Sequence, residues 1–227
     1  MKNSSLVFFT LVSFAWSSCN SGGNDKANPS DTPAVAASPT AAASPVPPPN
    51  SDYTIPFPHS WSKEIHPFPL DFAPEIPFKG YADVRFPPGW PNSASDEFWS
   101  YMGVWWLTDT PQINEKTLTR TLVQYYTGFS RKSRPGTIPA PDSATLAKAK
   151  VKKTKTDSSD IATYNASASI YEPVLIRGRM DVNFKIHVIA CPKGKATVVI
   201  LEISPKDYPD NIWQTMDKIE TQFKCTD

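Results

Sequence analysis

The densest apolar run outside the N-terminus is Phe98-Trp99-Ser100-Tyr101-Met102-Gly103-Val104-Trp105-Trp106-Leu107. Phe98, Met102, Val104 and Trp106 alternate with Trp99, Tyr101, Trp105 and Leu107. Both faces are apolar, so the pattern predicts an interior strand covered on each side. The period then changes. Leu118, Leu122, Tyr125, Tyr126 and Phe129 recur at three- and four-residue spacing after Asn114, a good N-cap, and Glu115, an acid in the first turn. This predicts an amphipathic helix ending near Gly128, with Ile113 as a staple contact.

Alternation returns further on. Residues 146–154 read as a strand with Lys148, Lys150 and Lys152 on one face and Ala147, Ala149 and Val151 on the other. The turn Asp157-Ser158-Ser159-Asp160 leads to a hairpin partner over 162–171. Val182, Phe184, Ile186, Val188 and Ala190 then alternate with Asp181, Asn183, Lys185 and His187, the pattern of a strand with one buried face. Pro192-Lys193-Gly194-Lys195 turns the chain into an apolar strand over 196–203, interrupted by Glu202. After Ser204-Pro205, Asp207 or Tyr208 leads into Pro209 at the first turn of a second helix, whose inward face is Ile212, Met216, Ile219 and Phe223. The expected class is α+β: an antiparallel sheet with two helices packed on one face, preceded by an extended Pro/aromatic arm.

That arm covers residues 51–92. It contains Ile55-Pro56-Phe57-Pro58, His66-Pro67-Phe68-Pro69 and Arg85-Phe86-Pro87-Pro88-Gly89-Trp90. Repeated proline opposes helices and central strands, yet the aromatic rings demand burial. The reading is a segment wrapped over the domain, covering the sheet face opposite the helices, with Tyr81 to Phe86 as a short edge strand.

The N-terminus follows a different logic. Leu6 to Trp16 is apolar apart from Thr10 and Ser13, too short to span a bilayer, and closes on Ser17-Ser18-Cys19. Small residues before a lone cysteine resemble the cleavage site of a bacterial lipoprotein signal. The resemblance implies that residues 1–19 are a signal segment and that Cys19 carries the lipid, palmitate included. Trp16 stands where that pattern prefers leucine, which leaves plain secretion as the alternative. Residues 20–50 are mostly Ala, Ser, Thr and Pro, unable to offset their ordering entropy, and form a semi-stiff disordered tether. Residues 51–227 form a single domain, and its aromatic segments resemble those of bacterial envelope proteins with no assigned activity, which implies none here.

Charge and cysteines narrow the field. The 227-residue chain has a formal net charge of +1, which gives no reason to expect nucleic acid as a partner. Beyond Cys19 the remaining cysteines are Cys191 and Cys225. In an oxidising compartment they form a disulfide pinning the last helix to the preceding hairpin. The three histidines, His59, His66 and His187, show no zinc spacing with them.

Phosphate loops, zinc-protease motifs and nucleophile elbows are missing from the sequence. No catalytic residue, cofactor or metal is expected. His187 reads as a surface histidine, or as a base beside Asp181. Glu202, if buried, needs a partner, with Arg the natural candidate; Arg177 and Arg179 could grip an anion. Trp90, Trp99, Trp105 and Trp106 form the candidate ligand or partner surface. The first functional reading is a noncatalytic, membrane-tethered envelope lipoprotein serving interaction or scaffolding. Its partners would be the membrane through the lipid, and envelope proteins or glycan. A carbohydrate or small-ligand binding module and a hydrolase are the alternatives.

Overall fold

The computed structural model describes residues 52–133, 146–156, 159–193 and 195–226. The signal segment, Cys19, the tether and most of the basic loop that follows the first helix lie outside the described residues.

Among the described residues, nine strands and two helices follow in order: β1 (Tyr53–Thr54), β2 (Ser62–Phe68), β3 (Gly80–Phe86), β4 (Tyr101–Leu107), α1 (Glu115–Lys132), β5 (Ala147–Lys153), β6 (Ala162–Glu172), β7 (Gly178–Cys191), β8 (Ala196–Ser204), α2 (Asn211–Glu220) and β9 (Lys224–Cys225). Seven strands make one antiparallel sheet in the order β2-β3-β4-β8-β7-β6-β5, and β1 pairs with β9. The α+β class is as the patterns predict. The aromatic strand β4 is the centre of the β3-β4-β8 half, and all its residues are buried.

The helices divide between the two faces of the sheet, where the pattern placed both on one. Leu118, Leu122 and Tyr126 of α1 pack in one cluster with Trp105, Leu201 and Phe184. Ile212, Trp213, Met216 and Ile219 of α2 pack in the other with Val104, Trp106, Val198 and Ile200. The physical reason lies in β4 and β8. Register Trp105↔Val199 and Val104↔Ile200 puts apolar side chains on both faces of both strands, and each face requires its own cover.

The Pro/aromatic segment is consequently more than a wrap. It supplies β2 and β3, with β3 interior and β2 at the sheet edge. Pro67 sits in that edge strand opposite Tyr81, a placement in which a missing N–H is tolerated. The segment's rings reach both clusters: Phe68 meets Trp105 edge-on at 5.9 Å, whereas Tyr53 stacks on Trp106 at 6.0 Å. At the other edge, β5 holds Lys148, Lys150, Lys152 and Lys153 in solvent, which protects it from pairing with another chain.

Asn114 caps α1 as expected, its Oδ1 accepting from Thr117 N–H at 3.0 Å. The helix runs past Gly128 to Lys132. Gly128 is there for another reason: a Cβ at this position would lie 1.9 Å from the carbonyl oxygen of Phe72. Glycine lets the turn at Leu70–Ala73 rest directly on the helix backbone. On α2 the cap is Asp210, one residue beyond Pro209. Cys191 and Cys225 form the expected disulfide, with Cα atoms 5.7 Å apart. Among the described residues no helix is long and apolar enough to cross a membrane.

Candidate functional site: an aromatic cavity beside α1

On the α1 face the sheet is incompletely filled where β2 and β3 meet the helix. A cavity of about 330 Å³ opens there. Trp99, Tyr126, Val84 and Tyr101 are its buried lining residues. Phe86 and Trp90 also line it, edge to face at 5.0 Å, as do Phe72 and Tyr125, with the same spacing at 87°. The acidic and basic lining residues are Glu64, His66, Asp71 and Lys132. His66 Nε2 lies 3.1 Å from Glu64 Oε2, and Lys132 donates to Asp71.

Each group is held by a local device. Pro87 and Gly89 start the loop that joins β3 to β4, with Trp90 N–H donating to the Pro87 carbonyl at 3.0 Å and Gly89 N–H to Glu97 Oε2 at 2.8 Å. Trp99 N–H donates to the Trp90 carbonyl at 3.0 Å, which ties the two backbone segments together. Trp99 takes φ 53°, the left-handed region that a bulky residue occupies only under constraint. Tyr101 and Tyr126 share a hydroxyl–hydroxyl hydrogen bond of 2.8 Å, and burial pushes both phenols well above their ordinary pKa. The indole N–H groups of Trp90 and Trp99 are buried without a hydrogen-bond acceptor among the described residues.

The tryptophans expected to form one surface are therefore split. Trp90 and Trp99 line the cavity. Trp105 is buried behind it, against Phe68 and Phe78, and Trp106 belongs to the opposite face under α2. Phe72, Phe86, Tyr125, Tyr126 and Phe129 complete the cavity and did not stand out in the sequence as site residues. The available signal was the composition of α1: a stripe carrying Tyr125 and Tyr126 has hydroxyls that a purely structural stripe does not need.

The polar candidates sit elsewhere. His187 is 4% exposed, a buried histidine where a surface one was expected. The alternation was read correctly, but the second face of β7 lies beneath α2. Asp160 Oδ2 lies 2.9 Å from its Nδ1, and Glu202 Oε1 lies 4.0 Å from its Nε2. Asp181, its suggested partner, is exposed near the far end of β7. Glu202 is buried, and its cationic neighbour is Lys185, with Nζ at 3.9 Å, in place of the expected arginine. Burial chiefly, with Asp217 pushing the same way and Lys185 opposing, holds the Glu202 carboxyl well above the usual carboxylate range. The hydrolase alternative asks for His187 or an arm histidine beside Glu202, Asp181 or a hydroxyl in a cleft; His187 and Glu202 are adjacent but enclosed, while the arm histidine His66 lines the cavity beside Glu64.

Arg177 and Arg179 lie in solvent at the β6–β7 turn, away from Glu202. That turn is held by buried Glu172, which accepts from the N–H groups of Val174, Leu175 and Ile176 at 3.0, 2.7 and 2.6 Å.

No family model matches the chain, and no curated protein matches it. Among solved structures it is similar to LpqN, described as involved in cell envelope biogenesis of Mycobacterium tuberculosis. The identity is 14%, covering 81% of this chain and 90% of that one, with a TM-score of 0.31. A likeness of this size carries no inference about fold or activity.

Proposed function

We propose that this chain is a lipid-anchored protein of the bacterial cell envelope whose domain binds a small amphiphilic molecule in the cavity beside α1, without catalysing a reaction. The cavity is the observation that carries the binding reading. Its lining is dominated by aromatic rings, with acidic and basic groups confined to Glu64, His66, Asp71 and Lys132. An apolar body would desolvate against Phe72, Trp90 and Tyr125. A polar end would meet the Glu64–His66 and Asp71–Lys132 pairs. The indoles of Trp90 and Trp99 have donors to offer, so the ligand carries hydrogen-bond acceptors near the rings. The rings pack edge to face on one another, which favours an enclosed apolar body over a sugar stacked on an open platform.

The envelope part rests on the sequence, where the apolar N-terminal run closes on Ser17-Ser18-Cys19. The Cys191–Cys225 disulfide fits an oxidising compartment. A purely scaffolding role remains the second reading, favoured by the exposed apolar tip Val174-Leu175-Ile176.

The test uses the full chain and the amphiphilic fluorophore 1-anilino-8-naphthalenesulfonate. Saturable binding at one equivalent is expected, with energy transfer from tryptophan. It should be lost in Tyr125→Ala and Trp90→Ala chains whose circular dichroism is unchanged. Binding that survives both substitutions overturns the cavity as the site. For the anchor, detergent partitioning of the membrane-bound chain should disappear with Cys19→Ser, and unchanged partitioning overturns lipidation.

A further inference from the structure

A second cluster lies on the opposite face of the sheet, beneath α2, and shares no residue with the cavity. His187 on β7 points its Nδ1 at two carboxylates from different elements. Asp160 Oδ2, from the loop before β6, is 2.9 Å away, and Glu220 Oε1, at the end of α2, is 3.7 Å away. All three potential donor atoms lie within 4.8 Å of one another, and the three side chains are nearly or fully buried. Thr163 Oγ1 donates to Asp160 Oδ2 at 2.5 Å, which orients that carboxylate.

The independent observation is Glu202. It is completely buried, on the other side of the imidazole, and neither of its carboxyl oxygens has a hydrogen bond among the described residues. Its Oε1 is 4.0 Å from His187 Nε2. Counted together, Asp160, Glu202, Glu220 and Asp217 lie around Lys185 and His187, and Lys185 Nζ lies over the Trp213 ring at 5.5 Å. Lys185 is already engaged with Asp217. The Asp160, Glu202 and Glu220 side chains are the buried acids of this group, whereas Asp217 is about half exposed, and a cation is an electrostatically favourable addition to such a grouping.

We propose that Asp160, His187 and Glu220 bind a divalent transition cation, Zn2+ or Mn2+, with Glu202 as the outer carboxyl group that fixes the histidine tautomer. One imidazole nitrogen with two carboxylates is a borderline-to-hard donor set, which suits these ions better than a thiophilic one. A tetrahedral ion with bonds of about 2.0–2.1 Å needs donor atoms about 3.3 Å apart. The 2.9 Å and 3.7 Å separations bracket that spacing. Nδ1 then gives its lone pair to the metal and the proton resides on Nε2, which faces Glu202 Oε1 at 4.0 Å; closing that gap to hydrogen-bond distance on loading would give the usual support for a metal-bound histidine. A fourth position is left for water. The site joins the loop before β6, β7 and the C-terminal end of α2, so the cation would fasten the helix to the sheet. The proposal stands apart from the ligand cavity and survives if that reading fails.

The experiment strips the full chain with EDTA and titrates it with ZnCl2 and MnCl2, reading stoichiometry by calorimetry and by metal analysis after dialysis. One equivalent of at least one ion is expected, with a rise in melting temperature. His187→Gln should abolish uptake, Glu202→Gln should weaken it by about 10–100-fold as an outer partner, and substitution of the exposed His59 by Ala should leave uptake unchanged. The 15N shift of His187 Nδ1 should move on loading. Two results overturn the site: no stoichiometric uptake of either ion by the folded parent chain, or equal uptake by parent and His187→Gln. Glu220→Gln serves as the milder variant if His187→Gln does not fold, and undiminished affinity in it counts equally against the proposal.

Discussion

The hydroxyl of Tyr101 on β4 meets that of Tyr126 on α1 at 2.8 Å, fully inside the core. It is a polar tie between the central strand and the helix, made in the buried wall of the cavity. Tyr126→Phe keeps the ring and leaves the Tyr101 hydroxyl without that partner. A cost of about 1–3 kcal/mol is expected by chemical denaturation. Tyr101→Phe together with Tyr126→Phe should cost less than the two single substitutions summed, because the double variant leaves neither hydroxyl orphaned. Strict additivity would show that the hydroxyls do not interact in solution.

Gly128 gives a prediction in which two effects oppose. In an exposed helix interior, glycine to alanine stabilises by about 1 kcal/mol. At this position the new Cβ would lie 1.9 Å from the Phe72 carbonyl oxygen, a contact that the backbone must move to relieve. Overpacking of this kind costs about 1–3 kcal/mol, so the clash wins. Gly128→Ala should destabilise the chain, and it should weaken fluorophore binding by displacing Phe72 from the cavity. A rise in melting temperature would show that the turn at Leu70–Ala73 does not rest on α1.

Much of the sheet was legible because its strands carry period-two patterns: Val182, Phe184, Ile186 and Val188 face one cluster together. The helices were legible for the same reason, with Asn114 marking a true cap. The side of the sheet each helix takes was not. Both faces of β4 are apolar, so its pattern gives no preference, and only the chain path decides. His187 shows the same limit. Alternation within a strand assigns it to the less apolar face, but not whether another element covers that face. Gly128 resembled a helix end because the residue that requires it, Phe72, is distant in sequence. The cavity was half visible: Trp90 and Trp99 stood out by residue type, while Tyr125 looked like ordinary core until the edge of β2 and β3 left space beside it.

The disulfide predicts a coupled loss at the C-terminus. Cys225 pairs across β1–β9 with Tyr53, and Cys191 ends β7. The bond thus holds both the last helix and the entry of the chain into the domain. With a sequence separation of 34 between the cysteines, the chain-entropy model gives about 3–4 kcal/mol. Cys191→Ser with Cys225→Ser should lower stability by about that amount, and proteolysis should then begin near residues 52–57 before the sheet is cut. Cleavage at the β6–β7 turn first would show that β1–β9 holds without the bond.

Glu202 offers the pH prediction. Lys185 and His187 on β7, and Asp217 and Glu220 on α2, are the charged or titratable groups facing it, with Met102 beside it on β4. Burial, then Asp217, raises its pKa in the folded state. The folded chain therefore binds this proton more tightly than the unfolded chain does. The resulting stabilisation is complete below the ordinary glutamate range, near pH 4.3. It declines as pH rises toward and through the raised folded value. Glu202→Gln keeps the shape and removes the charge. In EDTA, to keep cations out of the neighbouring cluster, the Gln chain should equal or exceed the parent in stability at neutral pH, by up to about 3 kcal/mol. It should also lose the part of the parent's decline with rising pH that belongs to this carboxyl. Parallel stability–pH curves for the two chains would show that Glu202 does not titrate differently on folding. A Gln chain markedly weaker at neutral pH would show that the ionised carboxylate is itself stabilising, with Lys185 outweighing the cost of burial.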